Sequence, residues 1–521
     1  MKLGIDFGTT RIVAAASDRG NYPVVSFDTP DGGSEEWFPP LVAVSGERTA
    51  FGWEAYALSA DPEWTVVRSL KRILEDAGPN TQLEIGSVRY AVLDLVTRLA
   101  GALVEALRHA SSAHPKKDEP FEIMLGVPAN ANSNQRFLTA EAFRRAGFSI
   151  LGVSNEPSAA SVEFAHRNKA DLEDKQLLLV YDFGGGTFDA SLVQYDERTH
   201  HVIASEGIST LGGDDFDQAL AELALDAAGA SLDSLNPAET FRLLEECRRK
   251  KETLHPNTRK IVVDLEDVKQ GLPPVTIGAA DFYEHARPYV EETRRAVHDL
   301  LERHGNPDVE WLYVTGGGSE LPLVSRLLKE DFGRRVKRSA YTRSATAIGL
   351  AIQADATAGY QLQERFTRYF GVWREADCGQ RIVFDPLFPK GTPLPGSGEE
   401  PLRIIRQYTP MHNVGHFRYL ESSHLAEDGQ PAGDITLWDE ILFPFDPALA
   451  GEENLATIAV EASPQAASLA IEEEYRCDAS GTVTVIIHNR TAGYERTYPL
   501  GRWAVATKPV RATRKPRKRT T

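Results

Sequence analysis

Residues 179–193 read LVYDFGGGTFDASLV, and residues 3–16 read LGIDFGTTRIVAAA. In both, a short apolar strand delivers an Asp, then Phe-Gly, then a Gly/Thr turn, then a second apolar strand. Asp6 and Asp182 therefore occupy equivalent places in two halves of the chain. A repeat at so long a period indicates a duplicated domain, because solenoid repeats run to only about 20–50 residues. Two related lobes present two similar turns, and a cleft between lobes is where a ligand binds.

The turns themselves suggest the ligand. Glycines let backbone N–H groups approach anionic oxygens, and Thr hydroxyls add donors. Gly8-Thr9-Thr10 and Gly184-Gly185-Gly186-Thr187 supply one such turn per lobe. Either alone is an ordinary hairpin turn; the pair, each preceded by Asp-Phe, points to a phosphate chain. Asp6 and Asp182 suit the hydrated Mg²⁺ that accompanies ATP, since Mg²⁺ keeps several waters and takes few carboxylates. Capping the turn is their simpler role. Other nucleotide signatures are missing: there is no GxxxxGK[ST], and Asp-Phe-Gly occurs without a His-Arg-Asp catalytic loop.

Around the hairpins the pattern alternates between strand and helix. Residues 90–110 carry Leu95, Leu99, Leu103 and Leu107 at helical spacing. A strand at 122–127 leads to a helix through Gly147 that Ser133 is placed to cap. A helix over 282–303 and a strand over 310–315 follow, which together indicate an α/β architecture. From residue 366 to 506 Pro, Gly and β-formers dominate, with short strands expected at 381–384, 402–408, 435–443 and 482–488. Asp478–Gly481 reads as a hairpin turn between the last of these and 473–477. The expected division is 1–353 for the α/β domain, 354–365 for a linker, 366–506 for a β domain and 507–521 for a tail.

Bulk properties exclude several classes. A chain of 521 residues with 42% apolar and 25% charged residues is ordinary for a globular protein of more than one domain. No run of about 18 apolar residues appears, and MKLGIDFGTT does not read as a secretory leader. Three scattered cysteines, Cys247, Cys378 and Cys477, argue against a disulfide framework, so a reducing cytoplasm is the expected setting. The net charge of −18 disfavours a general nucleic-acid surface. The tail breaks that trend with Lys508, Arg511, Arg514, Lys515, Arg517, Lys518 and Arg519. It reads as a solvated segment, with acidic protein, nucleic acid or anionic lipid as the sharper alternative. His412 and His416 lack a third metal ligand nearby, and His200-His201 reads as a solvated loop.

Five segments occur in order: GIDFGTT, SNEPSAAS, VYDFGGGTFDASL, LGGDDFDQAL and VTGGGSELP. Together they resemble the signatures of the seventy-kilodalton heat-shock (DnaK-type) chaperones. The resemblance covers residues 1 to about 353 and continues in KGTPLP and YRCDASGTVTVIIHNRTAGYE. It implies a two-lobed, actin-like (ribonuclease H-like) ATPase domain followed by a β-sandwich-like domain that binds an unfolded peptide or a dedicated protein client. It also implies ATP or ADP with Mg²⁺ as cofactors, K⁺ as a further candidate, and J-domain and nucleotide-exchange cochaperones as partners. A membrane partner is not implied.

Carried over by motif, Asp6, Thr9, Thr10, Asp182, Gly184, Gly185, Gly186 and Thr187 fall on the phosphate and Mg²⁺ turns, and Gly212, Gly213, Gly316, Gly317 and Gly318 on the remaining glycine motifs. Lys71 matches the catalytic lysine, Glu156 the carboxylate that positions water, and Asp189 a carboxylate near a monovalent cation. The chain also departs from the pattern. In EECRRKKETL one register matches only Lys251 to the adenosine-gripping helix, while the other matches Glu246, Arg249, Lys250 and Thr253. Glu320 stands where an adenine-stacking Arg is expected. The acidic-leucine linker has no clear counterpart in ADATAGYQLQE, and no helical lid follows the β region. These departures keep a second reading open, a nucleotide-sensing scaffold with little turnover; the two-lobed fold allows a third, a small-molecule kinase, against the NEPSAA segment and the C-terminal resemblance.

Overall fold

The computed structural model describes residues 1–78, 80–86, 88–168, 176–196, 198–377, 380–396, 399–478 and 481–500. The basic tail, Cys378 and the tip of the Asp478–Gly481 turn lie outside the described residues. Two compact units emerge, the first comprising Met1–Arg368 with Lys390–Gly396.

The first unit contains the same sheet twice. In one lobe Lys2–Phe7 turns into the antiparallel Ile12–Ala16 and pairs in parallel with Glu122–Val127, which pairs in parallel with Ser149–Asn155. In the other, Leu177–Phe183 turns into Phe188–Asp196 and pairs in parallel with Trp311–Thr315, which pairs in parallel with Val336–Arg338. The strand Thr199–Ile208 extends this second sheet. The echo between residues 3–16 and 179–193 is thus a repeat of topology, with Asp6 and Asp182 near the ends of the equivalent strands.

Two helices tie the halves together. Ala345–Ala354 packs on Lys2–Phe7 and crosses Glu156–Arg167, the helix that opens with the NEPSAA segment. Both contacts bring backbone directly against backbone at a glycine. A Cβ added at Gly4 would overlap Ala351 N and Ala347 O, and one added at Gly349 would overlap Ala159 O. Only glycine permits such an approach.

The structure revises several local expectations. The helix after the third strand spans Ser133–Arg145 and is capped by Asn132, whose side chain accepts from Gln135 N, and not by Ser133. His200 is no solvated loop residue. It lies in Thr199–Ile208, fully buried, with Nδ1 3.0 Å from Ser161 Oγ and edge-on contacts to Tyr195 and Tyr360. Burial pushes its imidazole down to about 3, so the ring is neutral. Residues 361–363, read as linker, form a strand parallel to Thr199–His201 within the first unit. Glu364 then accepts from Asn155 N at 3.1 Å and Asn155 Nδ2 at 2.6 Å, next in sequence to Glu156.

The second unit, Tyr369–Pro389 and the described residues from Glu399 on, is a pair of four-stranded antiparallel sheets. One runs Arg381–Phe388, Tyr369–Ala376, Val414–Leu425, Pro431–Pro444; the other Leu402–Tyr408, Ile471–Cys477, Val483–Asn489, Tyr494–Leu500. Tyr419 from the first sheet meets Tyr475 from the second in the shared core, hydroxyls 3.2 Å apart. Buried Glu473 is held by Arg374, which also binds Asp385 at 2.7 Å, so the inward charges are paired. His412 and His416 face Glu375 and Glu440 separately, and no three potential metal ligands cluster among the described residues. No described helix is long and apolar enough to cross a membrane.

Gly349→Ala is expected to destabilise the first unit by about 2–3 kcal/mol, because backbone of two helices must separate to admit the methyl group. The check is the midpoint of thermal unfolding; an unchanged midpoint contradicts the crossing.

Candidate functional site

The glycine turns of both lobes nest so closely that side chains are excluded. A Cβ at Gly185 would sit 2.6 Å from Thr10 Oγ1, one at Gly212 2.5 Å from Gly185 O, and one at Gly316 2.5 Å from Asp182 Oδ1. Backbone bonds brace the nest: Gly184 N to Thr187 O at 2.9 Å, Gly213 N to Gly184 O at 3.0 Å and Asp214 N to Gly185 O at 2.7 Å. Between the lobes lies a cleft of about 810 Å³ including its open mouth. Gly8, Thr9, Thr10, Gly184, Gly185, Thr187, Gly213 and Gly316–Gly318 all line it, together with Asp6, Lys71, Glu156 and Asp182. Gly186 and Gly212 support the lining from behind, Gly186 against Thr9.

At the floor, Lys71 and Glu156 form a buried ion pair. Lys71 comes from the helix Leu70–Asp76, and Glu156 stands at the first position of its helix, ahead of Pro157. Asp189 is buried beside them and accepts from Ala129 N at 3.0 Å, while Asp6 and Asp182 are half-buried at the cleft wall. Four carboxylates thus share one ammonium. Desolvation, then Glu156, raises Asp6 and Asp189 to about 7, and burial with the neighbouring carboxylates raises Asp182 well above its ordinary range. Burial alone would lower Lys71, but Glu156 and Asp6 outweigh it and hold the ammonium charged. Excess negative charge in a water-poor pocket is a fitting environment for a divalent cation.

Several residues that motif reading passed over hold the lobes together. Arg72 donates to Gly186 O at 3.0 Å and Asp215 at 2.8 Å. Arg68 meets Glu245 at 3.2 Å, and Ser69, left-handed at φ 54°, donates to Asp214. The residue before the helix Leu70–Asp76 is therefore pinned from the opposite lobe.

Farther along the cleft, the helix Pro237–Glu252 presents Arg248, Lys251 and Glu252. Lys251 donates to Gly213 O at 2.6 Å and pairs with Asp217 at 2.6 Å. Glu246, Arg249 and Lys250 do not line this cleft. Glu246 pairs with Arg249 at 2.8 Å and Lys250 at 3.2 Å and accepts from Asp264 N, on another face of the helix. Thr253 likewise turns back to Lys250 O. Residues 248, 251 and 252 share the helical face that lines the cleft, and 246, 249 and 250 lie off it. Glu252 binds Arg11 of the first hairpin at 2.7 Å and Arg343 at 3.1 Å, and Arg343 also binds Glu320.

Equivalent hairpins facing one another over a polar cleft define a two-lobed, actin-like fold of the nucleotide-binding kind, followed here by a β sandwich. A sequence profile described as Hsp70 protein matches residues 2–367. The chain belongs to the Hsp70 family. It is 32% identical over 375 residues to a protein described as a chaperone protein HscA homolog from Methylibium petroleiphilum, covering 68% of this chain and 58% of that relative. An HscA homolog from Pseudomonas fluorescens is 27% identical over 515 residues, 95% of this chain and 77% of the relative. A chaperone protein DnaK from Thermotoga petrophila is 28% identical over 422 residues, 75% and 66% of the two chains. The match therefore spans less than two thirds of the Methylibium relative's length.

Burial opposes ionisation of Glu252, but Arg11, Arg343 and Arg248 hold its carboxyl down at about 2, against 4.5 unperturbed. A depressed carboxyl stabilises the fold above its unfolded pKa and loses that contribution as pH falls through its folded pKa. The stability difference between wild type and Glu252→Gln is expected to be full above about pH 4.5, at most about 3 kcal/mol, and to vanish towards pH 2. Urea titrations across that range measure it, and a pH-independent difference contradicts the assignment.

Proposed function

We propose that this chain binds Mg·ATP in the interlobe cleft, hydrolyses it slowly, and uses the nucleotide state to control peptide or protein binding by its β unit. The observation that carries the reading is the buried Lys71–Glu156 pair among Asp6, Asp182 and Asp189, at the meeting point of two glycine turns. Transfer of a phosphoryl group to water calls for in-line placement and neutralisation of charge more than for covalent chemistry. Backbone N–H groups of Gly8–Thr10 and Gly185–Thr187 hold the phosphates, and the Thr9, Thr10 and Thr187 hydroxyls supplement them. Glu156, its carboxylate oriented by Lys71, holds the attacking water and takes up its proton; Lys71 also offsets charge gathering on the phosphoryl oxygens. Asp6 and Asp182 are the residues that would hold Mg²⁺ through its waters, with Asp189 beside a monovalent cation such as K⁺; the Mg²⁺ supplies charge neutralisation at the phosphates.

Coupling to a client in the β unit, and use of J-domain and exchange cochaperones, follow from membership of the family and are part of the proposal. A cytoplasmic setting is included too, supported by the free, buried thiols of Cys247 and Cys477. The carboxylates Glu252 and Glu320 at the far end of the cleft favour one competing reading, a nucleotide-sensing scaffold with negligible turnover.

Phosphate release from Mg·ATP, with binding followed by calorimetry, separates the two. Lys71→Ala and Glu156→Ala are each expected to cut slow turnover about 100-fold or more while binding stays within roughly tenfold. Tight binding without mutant-sensitive turnover establishes the scaffold. Absence of nucleotide binding removes both readings.

A further inference from the structure

The far end of the cleft holds a lattice that the phosphate chemistry does not use. Arg343 precedes the helix Ala345–Ala354, and its stem passes over the glycine turn, with Cγ 3.9 Å from a Cβ built on Gly317. Its Nε donates to Glu320 Oε2 at 2.9 Å, Nη2 donates to the same carboxylate, and Nη1 donates to Glu252 Oε2 at 3.1 Å. Those carboxylates are themselves fixed, Glu320 by Thr342 Oγ1 at 2.9 Å and Glu252 by Arg11 at 2.7 Å. All three guanidinium nitrogens are thus engaged at the edge, which sets the orientation of the plane.

Such an arrangement favours one kind of occupant. With its edge donors committed to two carboxylates, Arg343 has little left to offer a further anion, whereas its face remains a platform for a neutral π-system. The other cations at this end are otherwise engaged: Arg11 and Arg248 lie against Trp37, and Lys251 is held by Gly213 O and Asp217. No aromatic side chain lines the cleft among the described residues. The neighbouring Gly316 and Gly318 pack on Asp182 and Gly184 of the phosphate turn, so a molecule whose phosphates rest there extends its remaining part past Arg343.

We infer that Arg343 is the platform on which the nucleobase of the bound nucleotide stacks, its plane fixed by Glu320 and Glu252. The inference rests on the nucleotide-binding reading above and deepens it. Stacking on a guanidinium reads area and not the pattern of donors, so purines are favoured over pyrimidines while ATP and GTP are separated only weakly.

Calorimetry on the full chain with Mg·ATP, Mg·GTP, Mg·CTP and Mg·tripolyphosphate tests this. Arg343→Ala is expected to weaken both purine nucleotides roughly 5- to 30-fold while changing tripolyphosphate less than about twofold. Arg343→Lys, which keeps the charge and loses the plane, is expected to lose nearly as much and serves if the alanine variant fails to fold. Wild-type affinities for ATP and GTP are expected within about tenfold of each other, with CTP weaker. Equal losses for nucleotide and tripolyphosphate, no loss in either variant, or an ATP preference over GTP beyond about 100-fold overturns the inference and leaves the nucleotide-binding reading standing. Failure of the wild type to bind any of the four probes overturns that reading as well.

Discussion

One ammonium, that of Lys71, stands among four carboxylates where water is scarce, and the surrounding architecture serves to keep that imbalance in place. A buried charge without compensation costs several kcal/mol, so the arrangement persists only where many other contacts enforce it. Each charged group comes from a different element: three hairpin strands, a helix start and a short helix from the opposite wall. The left-handed Ser69 and the Arg68 and Arg72 contacts fix the approach of Lys71, and the glycine nest fixes Asp6 against Asp182. A pocket strained in this way is suited to binding something cationic together with something anionic, which is what a metal–polyphosphate complex is.

Local chemistry made the hairpins legible in the sequence. An apolar strand, an Asp-Phe-Gly and a turn that needs bare backbone leave few alternatives, and duplication removed the rest. Lys71 and Glu156 were legible only through resemblance, because a lysine after Ser-Leu and a glutamate before Pro are ordinary helix residues in isolation. The helix Pro237–Glu252 offered two registers, and nothing local distinguishes its faces; tertiary packing turned Lys251 towards Gly213 and Glu246 towards Asp264. His200 misled because a His-His pair looks polar, whereas the buried face of the strand accepts a neutral imidazole that finds a hydroxyl. The lattice of Arg11, Glu252, Glu320 and Arg343 joins residues far apart in sequence, so no window of residues reveals it.

The same contrast separates the two units. In the β unit, β-forming residues mark strands such as Leu402–Tyr408, whose side chains alternate between a partly buried face and an exposed one. The alternation holds as well at the start of Val414–Leu425, where buried Phe417 and Tyr419 alternate with exposed His416 and Arg418 and join the sandwich core. In the first unit a strand such as Leu177–Phe183 is apolar up to its aspartate, so pattern marks its presence, and the topology is recovered from the repeat.

The helix crossing at Gly349 has a mechanical meaning. Most helix pairs lock by setting the ridges of one into the grooves of the other, and turning them requires side chains to climb past one another. At Gly349 the backbone of one helix rests directly against Ala159 O of the other, with no side chain in between. Such a joint sets the distance between the helices at the thickness of bare backbone, while Val162, Ile348 and Ile352 cluster beside it and hold the crossing in register. The lobes that these helices serve therefore meet at a fixed spacing, which a single added methyl group would change.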